Sequence, residues 1–226
     1  MKKFTLHSEI AYFLGIIFLA IGNSLIERAN FGMSMVIAPA YILHLKISNY
    51  LPFFTFGTAS YVLQFFLLII MCLLIKKVKI AYLFSFVTAI ISGYALDGAI
   101  YLFSLVPITT IVARIICFVV GIPIVSLGVA LLFKTYLSPE AYDLFVKEVS
   151  LKFNISIGKF KTIYDVSSCV LSIILSFAFF GFGNFSAINV GTVICAFVNG
   201  FVISFMSRLL EKCFNFNDLL PLRKYF

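Results

Sequence analysis

The sequence predicts an all-α membrane fold: a six-helix transmembrane bundle of two inverted three-helix repeats, each with a short re-entrant or interfacial helix after its first span. Three observations predict it. Hydrophobic residues make up 62% of the 226 residues and charged residues only 12%, against about 45–50% and about 25% in soluble domains. The apolar residues gather into six long runs, each near the ~20 residues that cross about 30 Å of hydrocarbon. Similar landmarks also recur in the same order in both halves.

The first span covers about Ile10 to Ile26 and closes at Glu27-Arg28. Ala20-Ile21-Gly22 has the small-x-small shape of a signal-peptidase site, but hydrophobicity continues past Gly22, so the segment reads as a retained helix. Met33 to Leu45 is apolar and contains Pro39. At about 1.5 Å per residue it is too short to cross the bilayer, which makes it a re-entrant or interfacial helix. The second span, about Phe53 to Ile75, stops at Lys76-Lys77-Val78-Lys79. The third, about Ala81 to Val106, contains Asp97; the fourth opens at Pro107, carries Arg114 and ends near Phe133-Lys134.

Residues 138–152 form a polar helical connector, with Glu140 and Asp143 in its first turns and Lys147 and Lys152 later, an order that suits the helix dipole. The fifth span, about Ile163 to Phe182, follows Lys159 and Lys161, and the sixth, about Ala187 to Met206, stops at Arg208. The halves are thus 1–106 and 107–208, with 209–226 a cytoplasmic tail. Strands are not expected, because the runs do not alternate with period two.

Lysine and arginine positions set the orientation. With a cytoplasmic N-terminus, fourteen of them fall on the inner side, including Lys2, Lys3, the Lys76–Lys79 turn, Lys134, Lys147, Lys152, Lys159, Lys161, Arg208, Lys212, Arg223 and Lys224, while only Arg28 and Lys46 fall outside. The positive-inside rule then places both termini in the cytoplasm of a plasma-membrane protein.

The same charge positions argue against a nucleic-acid surface, despite a net charge of +8. Cys72, Cys117, Cys169, Cys195 and Cys213 lack metal-ligand spacing, and His7 and His44 lie far apart, so no metal site, disulfide or cofactor is expected. There is no P-loop, His-Glu-x-x-His or Gly-x-Ser-x-Gly pattern, so neither ATP-driven work nor catalysis is expected of the chain alone.

The repeat rests on Gly22 to Arg28 against Gly128 to Lys134, Phe54-Thr55-Phe56-Gly57 against Ile155-Ser156-Ile157-Gly158, and Ser92-Gly93 against Asn199-Gly200. Three crossings per half, an odd number, turn the second half upside down.

The chain resembles the YczE/YyaS/YitT-type bacterial membrane proteins over nearly its full length. The similar elements are Arg28-Ala29-Asn30-Phe31-Gly32, Ser138-Pro139-Glu140-Ala141, Lys161-Thr162-Ile163-Tyr164-Asp165-Val166-Ser167, and Gly191-Thr192 to Gly200. Where the family has Gly-x-x-Pro, this chain has Gly32-Met33-Ser34-Met35. The resemblance implies a multi-pass plasma-membrane protein and supplies no substrate.

Ionisable groups inside spans cost about 2.5–3.5 kcal/mol at helix centre, so each needs a partner or a purpose. Asp97 and Arg114 lie almost equally far from the turn joining spans three and four, and an antiparallel hairpin would pair them. That pair either lines a solute path or only fixes packing. Asp165 lies one turn after Lys161 and aligns with Gln64 of the second span; the two would face the pseudo-two-fold axis, unless Lys161–Asp165 is merely an interfacial pair. Arg28 and Lys134 read as end anchors or as docking points for an anionic group, and Glu140 as a dipole partner for the helix it begins.

The expected function is a small-molecule permease or exporter that alternates access between its inverted halves. The alternative is a non-catalytic membrane subunit or substrate-binding module working with a partner ATPase, or an assembly factor. The expected partners are the lipid bilayer and an unidentified solute, with a homo-oligomer or partner subunit left open.

Overall fold

The computed structural model describes residues 4–32, 34–51, 53–54, 56–183 and 188–221. Lys2, Lys3, Met33, Thr55, Ala187, Arg223 and Lys224, all used above, lie outside the described residues. The elements are β1 (Phe4–His7), α1 (Ser8–Ala29), α2 (Ala38–Ile47), α3 (Phe56–Ile75), a 3-10 turn (Ile80–Leu83), α4 (Phe84–Ser104), α5 (Ile111–Lys134), α6 (Ala141–Phe153), α7 (Ile157–Phe180), α8 (Val190–Cys213) and β2 (Phe214–Asn217).

Six of these helices are long and apolar enough to cross a membrane: α1, α3, α4 with the turn before it, α5, α7 and α8. Their outward faces carry exposed apolar side chains, such as Phe65 and Leu73 on α3, Val112 and Val119 on α5, and Phe197 and Phe201 on α8. Apolar faces this extensive are unstable in water and suit hydrocarbon. The short α2 and α6 fill the two connector positions, and Pro39 stands in the first turn of α2, where its missing N–H leaves no bond unmade.

Three differences from the sequence reading stand out. The fifth helix begins at Ile157, so Lys159 and Lys161 lie within it rather than ahead of it. Helix α8 continues past Arg208 to Cys213, because the lysine and arginine side chains there leave the helical backbone intact. The residues after it are not a free tail: β1 and β2 form a parallel pair, Phe4 opposite Phe214 and His7 opposite Asn217, which brings the two ends of the bundle together. Four-residue strands outside the spans carry no apolar periodicity long enough to read.

Glycines bring the spans together. A Cβ on Gly128 would lie 2.8 Å from the Gly15 carbonyl oxygen, and one on Gly22 would lie 3.0 Å from that of Gly121. Helices α1 and α5 therefore touch backbone to backbone, as small residues permit in membrane bundles. Gly158 and Gly200 do the same for α7 and α8, where a Cβ on Gly158 would come within 2.5 Å of the Gly200 carbonyl.

The connectors cross between halves. α2 packs on α7 and α6 packs on α3. Lys46 Nζ of α2 reaches the Phe179 carbonyl at the end of α7 at 3.5 Å, and Lys152 Nζ of α6 reaches the Ile75 carbonyl at the end of α3 at 2.9 Å. Each lysine thus satisfies a carbonyl that a helix C-terminus leaves open.

Candidate functional site

Helix α6 begins inside the bundle. Glu140 is its N-cap residue and Asp143 lies in its first turn, where the helix dipole favours negative charge. Both meet groups from neighbouring helices. Lys161 of α7 donates to Asp143 Oδ1 at 2.9 Å and stands 3.3 Å from Asp165 Oδ1 one turn along. All three are buried, Asp165 completely. Ser92 of α4 donates to Glu140. Tyr142 pairs with Ser60 of α3 at 3.2 Å, and Gln64 Nε2 donates to the same hydroxyl at 3.4 Å.

Burial pushes the Glu140 carboxyl up to about 7, with the Ser92 bond drawing it back, the Asp143 charge adding to the rise and Lys161 opposing it. Tyr142 is raised to about 12, again chiefly by burial.

Above this cluster lies a cavity of about 710 Å³, reaching from Lys161, Glu140, Asn199 and Ile203 in mid-bundle to Glu27, Asn30 and Tyr41 where α1 ends. Its size suits a metabolite-sized ligand, since such sites run to about 300–1,000 Å³. Gln64, Asp97, Ser92 and Asn199 also line it.

The structure brings together Gln64, Glu140, Lys161 and Asp165. The Lys161–Asp165 pair is buried rather than interfacial, since α7 starts two turns earlier than the apolar run suggested. Glu140 faces the cavity instead of serving its own helix alone. Asp97 and Arg114 do not pair. Arg114 donates to the carbonyls of Ala29 at 2.8 Å and Asn30 at 3.1 Å and lies over the Phe31 ring at 5.4 Å, while Asp97 opens to the cavity mouth near Glu27. The reason is packing: α5 lies against α1 and α8 and α4 lies against α1, so spans three and four do not form a close hairpin. Arg28 bonds the Val106 carbonyl past the end of α4, and Lys134 pairs with Glu211 of α8. Neither lines the cavity.

Asp143, Tyr142, Ser60, Ser92 and Asn199 belong to the site and were missed as candidates. Asp143 carried a signal, because it lies three residues after Glu140 and so on the same helical face. The hydroxyls carried none, being common in membrane helices for packing.

Six helices long and apolar enough to cross a membrane, packed around a cavity of metabolite size, define a multi-pass membrane protein with a ligand-sized interior space. More narrowly, a model for a family of unknown function, DUF6198, matches residues 6–208, and the chain belongs to that family. It is 25% identical over 207 residues to the uncharacterised protein YyaS of Bacillus subtilis (strain 168), covering 90% of this chain and 94% of the relative. No solved structure matches the chain.

Proposed function

We propose that the protein is a non-catalytic small-molecule permease or exporter of the plasma membrane, with both termini cytoplasmic, working by alternating access of two inverted repeats. The observation that carries this reading is the cavity of about 710 Å³ lined by Lys161 and Asp143, which with Asp165 form a buried charge cluster. A carrier needs a central site open to one side at a time, and buried ionisable groups within a bundle mark such paths.

Reciprocal contacts support the inverted repeat. A two-fold operation exchanging Gly15 with Gly121 and Gly22 with Gly128 converts the Gly15–Gly128 approach into the Gly22–Gly121 approach, as an isologous interface requires. The same operation exchanges Lys46 at the end of α7 with Lys152 at the end of α3. It also exchanges Arg28, tied to the segment after α4, with Lys134, tied to α8.

The two halves differ where a carrier's state would be set. The α7–α8 seam is shut through Gly158 and Gly200, whereas Gly93 on α4, the counterpart of Gly200, meets nothing within 4 Å. Closing α3 against α4 through Gly93 while α7 parts from α8 would carry the opening to the opposite face.

Reconstitution into proteoliposomes tests the reading. Saturable flux of at least one solute from a broad metabolite panel is expected, lost in Lys161→Met. No flux above that of empty liposomes for any solute, from protein that retains its fold, overturns it.

A further inference from the structure

We infer that the cavity binds an organic cation whose ammonium carries N–H donors. The inference names the solute class for the carrier reading and rests on it.

Charge is the first observation. Among the described residues four carboxyl groups, Glu27, Asp97, Glu140 and Asp143, line the cavity, and the one cation in its lining is Lys161. That lysine is already engaged by Asp143 at 2.9 Å and Asp165 at 3.3 Å, so its charge is directed mainly to its own cluster, and Asp97 has no ion-pair partner among the described residues. Of the nearby arginines, Arg28 partly offsets Glu27 beside it in sequence, and neither Arg28 nor Arg114 lines the cavity. Arg28 and Arg114 direct their guanidinium groups to the main-chain carbonyls of Val106, Ala29 and Asn30. An anionic solute would meet Glu27 and Asp97 on its way in, and the one cation below them, Lys161, is already held by two carboxylates.

Unmet hydrogen-bonding capacity is the second observation, and it is independent of charge. Gln64 and Asn199 line the cavity and are 3% and 8% exposed, and neither Gln64 Oε1 nor Asn199 Oδ1 has a hydrogen-bond partner. Buried polar atoms in native proteins are almost always satisfied, and a buried acceptor without a donor is costly. Both groups are acceptors, so a ligand satisfies them only by donating. Positive charge and N–H donors are combined in a primary ammonium and absent together from a diol or a carboxylate. The aromatic side chains of Tyr41, Phe56 and Phe118 supply the apolar walls against which an alkyl chain packs and a cation is attracted to a ring face.

Isothermal titration of the purified full chain tests this with 1,4-diaminobutane, its neutral isostere 1,4-butanediol, the dianion succinate and fully N-methylated diaminobutane. The diamine is expected to bind at least tenfold more tightly than each of the other three. Asp97→Asn, at an exposed position without an ion pair, is expected to weaken the diamine several-fold and leave the fold intact. Gln64→Leu is expected to weaken it about tenfold, and Gln64→Glu, which keeps the volume, to tighten it. Equal or tighter binding of the diol or succinate, no diamine binding, or equal binding of the methylated diamine overturns the inference. Diamine binding without flux in proteoliposomes sinks the carrier reading and leaves the cation site standing. Flux of succinate or the diol without diamine binding does the reverse.

Discussion

Removing the charge of Lys161 is the sharpest perturbation available in this fold. The ammonium lies 2.9 Å from Asp143 and 3.3 Å from Asp165, with 5%, 12% and 0% of the three side chains exposed. At an effective dielectric near 20, unit charges about 3 Å apart attract by roughly 5 kcal/mol, and burial of the charges offsets most of that gain. The pair contributes little net stability compared with an apolar replacement, but stripping one partner leaves two carboxylates buried together without a counter-charge. Such removals cost about 3–5 kcal/mol. For a chain of this size each kcal/mol moves the melting temperature by about 2–4 °C, so Lys161→Met should lower Tm by roughly 6–20 °C in detergent. The triple variant Lys161→Met, Asp143→Asn, Asp165→Asn should recover most of the loss, because no unpaired charge remains. Thermal unfolding followed by circular dichroism reads both. A Lys161→Met protein melting within about 3 °C of the parent would refute the reasoning, since it would mean that the carboxylates are solvated or protonated already.

The glycine seams give a contrast between two positions of the proposed repeat: Gly200→Ala should destabilise the protein, because its Cβ would run into the α7 backbone, while Gly93→Ala, inside α4 with open space beside it, should hold Tm or raise it by a few degrees. Arg114→Ala should cost about 1.5–3 kcal/mol, the range for hydrogen bonds to a charged group, whereas Asp97→Asn should change Tm little; paired melts check both. The Glu140 carboxyl, raised from 4.5 to about 7, binds more protons in the folded than in the unfolded chain over that interval. Stability should therefore fall as pH rises from about 4.5 to about 7, and Glu140→Gln should flatten that slope in a pH series of melts; an unchanged slope counts against the burial of this group.

Much of the fold was legible because membrane insertion imposes a length rule. Six apolar runs had to be spans, and the stretch around Pro39 was too short to be one. The helix starts were less legible. Hydropathy begins a span at the first apolar residue, so Lys159 and Lys161 were read as flanks, yet α7 starts at Ile157 and carries Lys161 into the interior. A lysine can enter a span only where carboxylates await it, and one of those, Asp143, belongs to a different helix, a fact that depends on tertiary packing. The Asp97–Arg114 pairing failed for the same reason. Equal distance from a turn predicts equal depth only if the two helices pack together, and here α1 lies against both α4 and α5. Gln64 and Asp165 are both buried; lining up the two halves of the sequence singled them out, whereas hydropathy alone does not.

The distribution of charge between the proposed halves has a consequence for how such a carrier would work. Matching positions place Ser34 opposite Glu140, Ser60 opposite Lys161, Gln64 opposite Asp165 and Ser92 opposite Asn199. Around the Lys161 cluster the second half supplies the ionisable groups and the first half the hydroxyls and the Gln64 amide, with Glu27 and Asp97 of the first half lying further along the cavity, so the backbone contacts are reciprocal while the chemistry around Lys161 is not. If both seams were lined by charge, each closure would bury uncompensated carboxylates, at several kcal/mol per ion. Concentrating the charges on α7 and at the start of α6 lets Lys161 compensate Asp143 and Asp165 with the α7–α8 seam shut, as it is here. At the positions matching that cluster the α3–α4 seam would close over the neutral Ser60, Gln64 and Ser92. The two closures would differ in energy by the affinity of the charged half for a cation, and a ligand that binds the two states unequally is what shifts a two-state equilibrium.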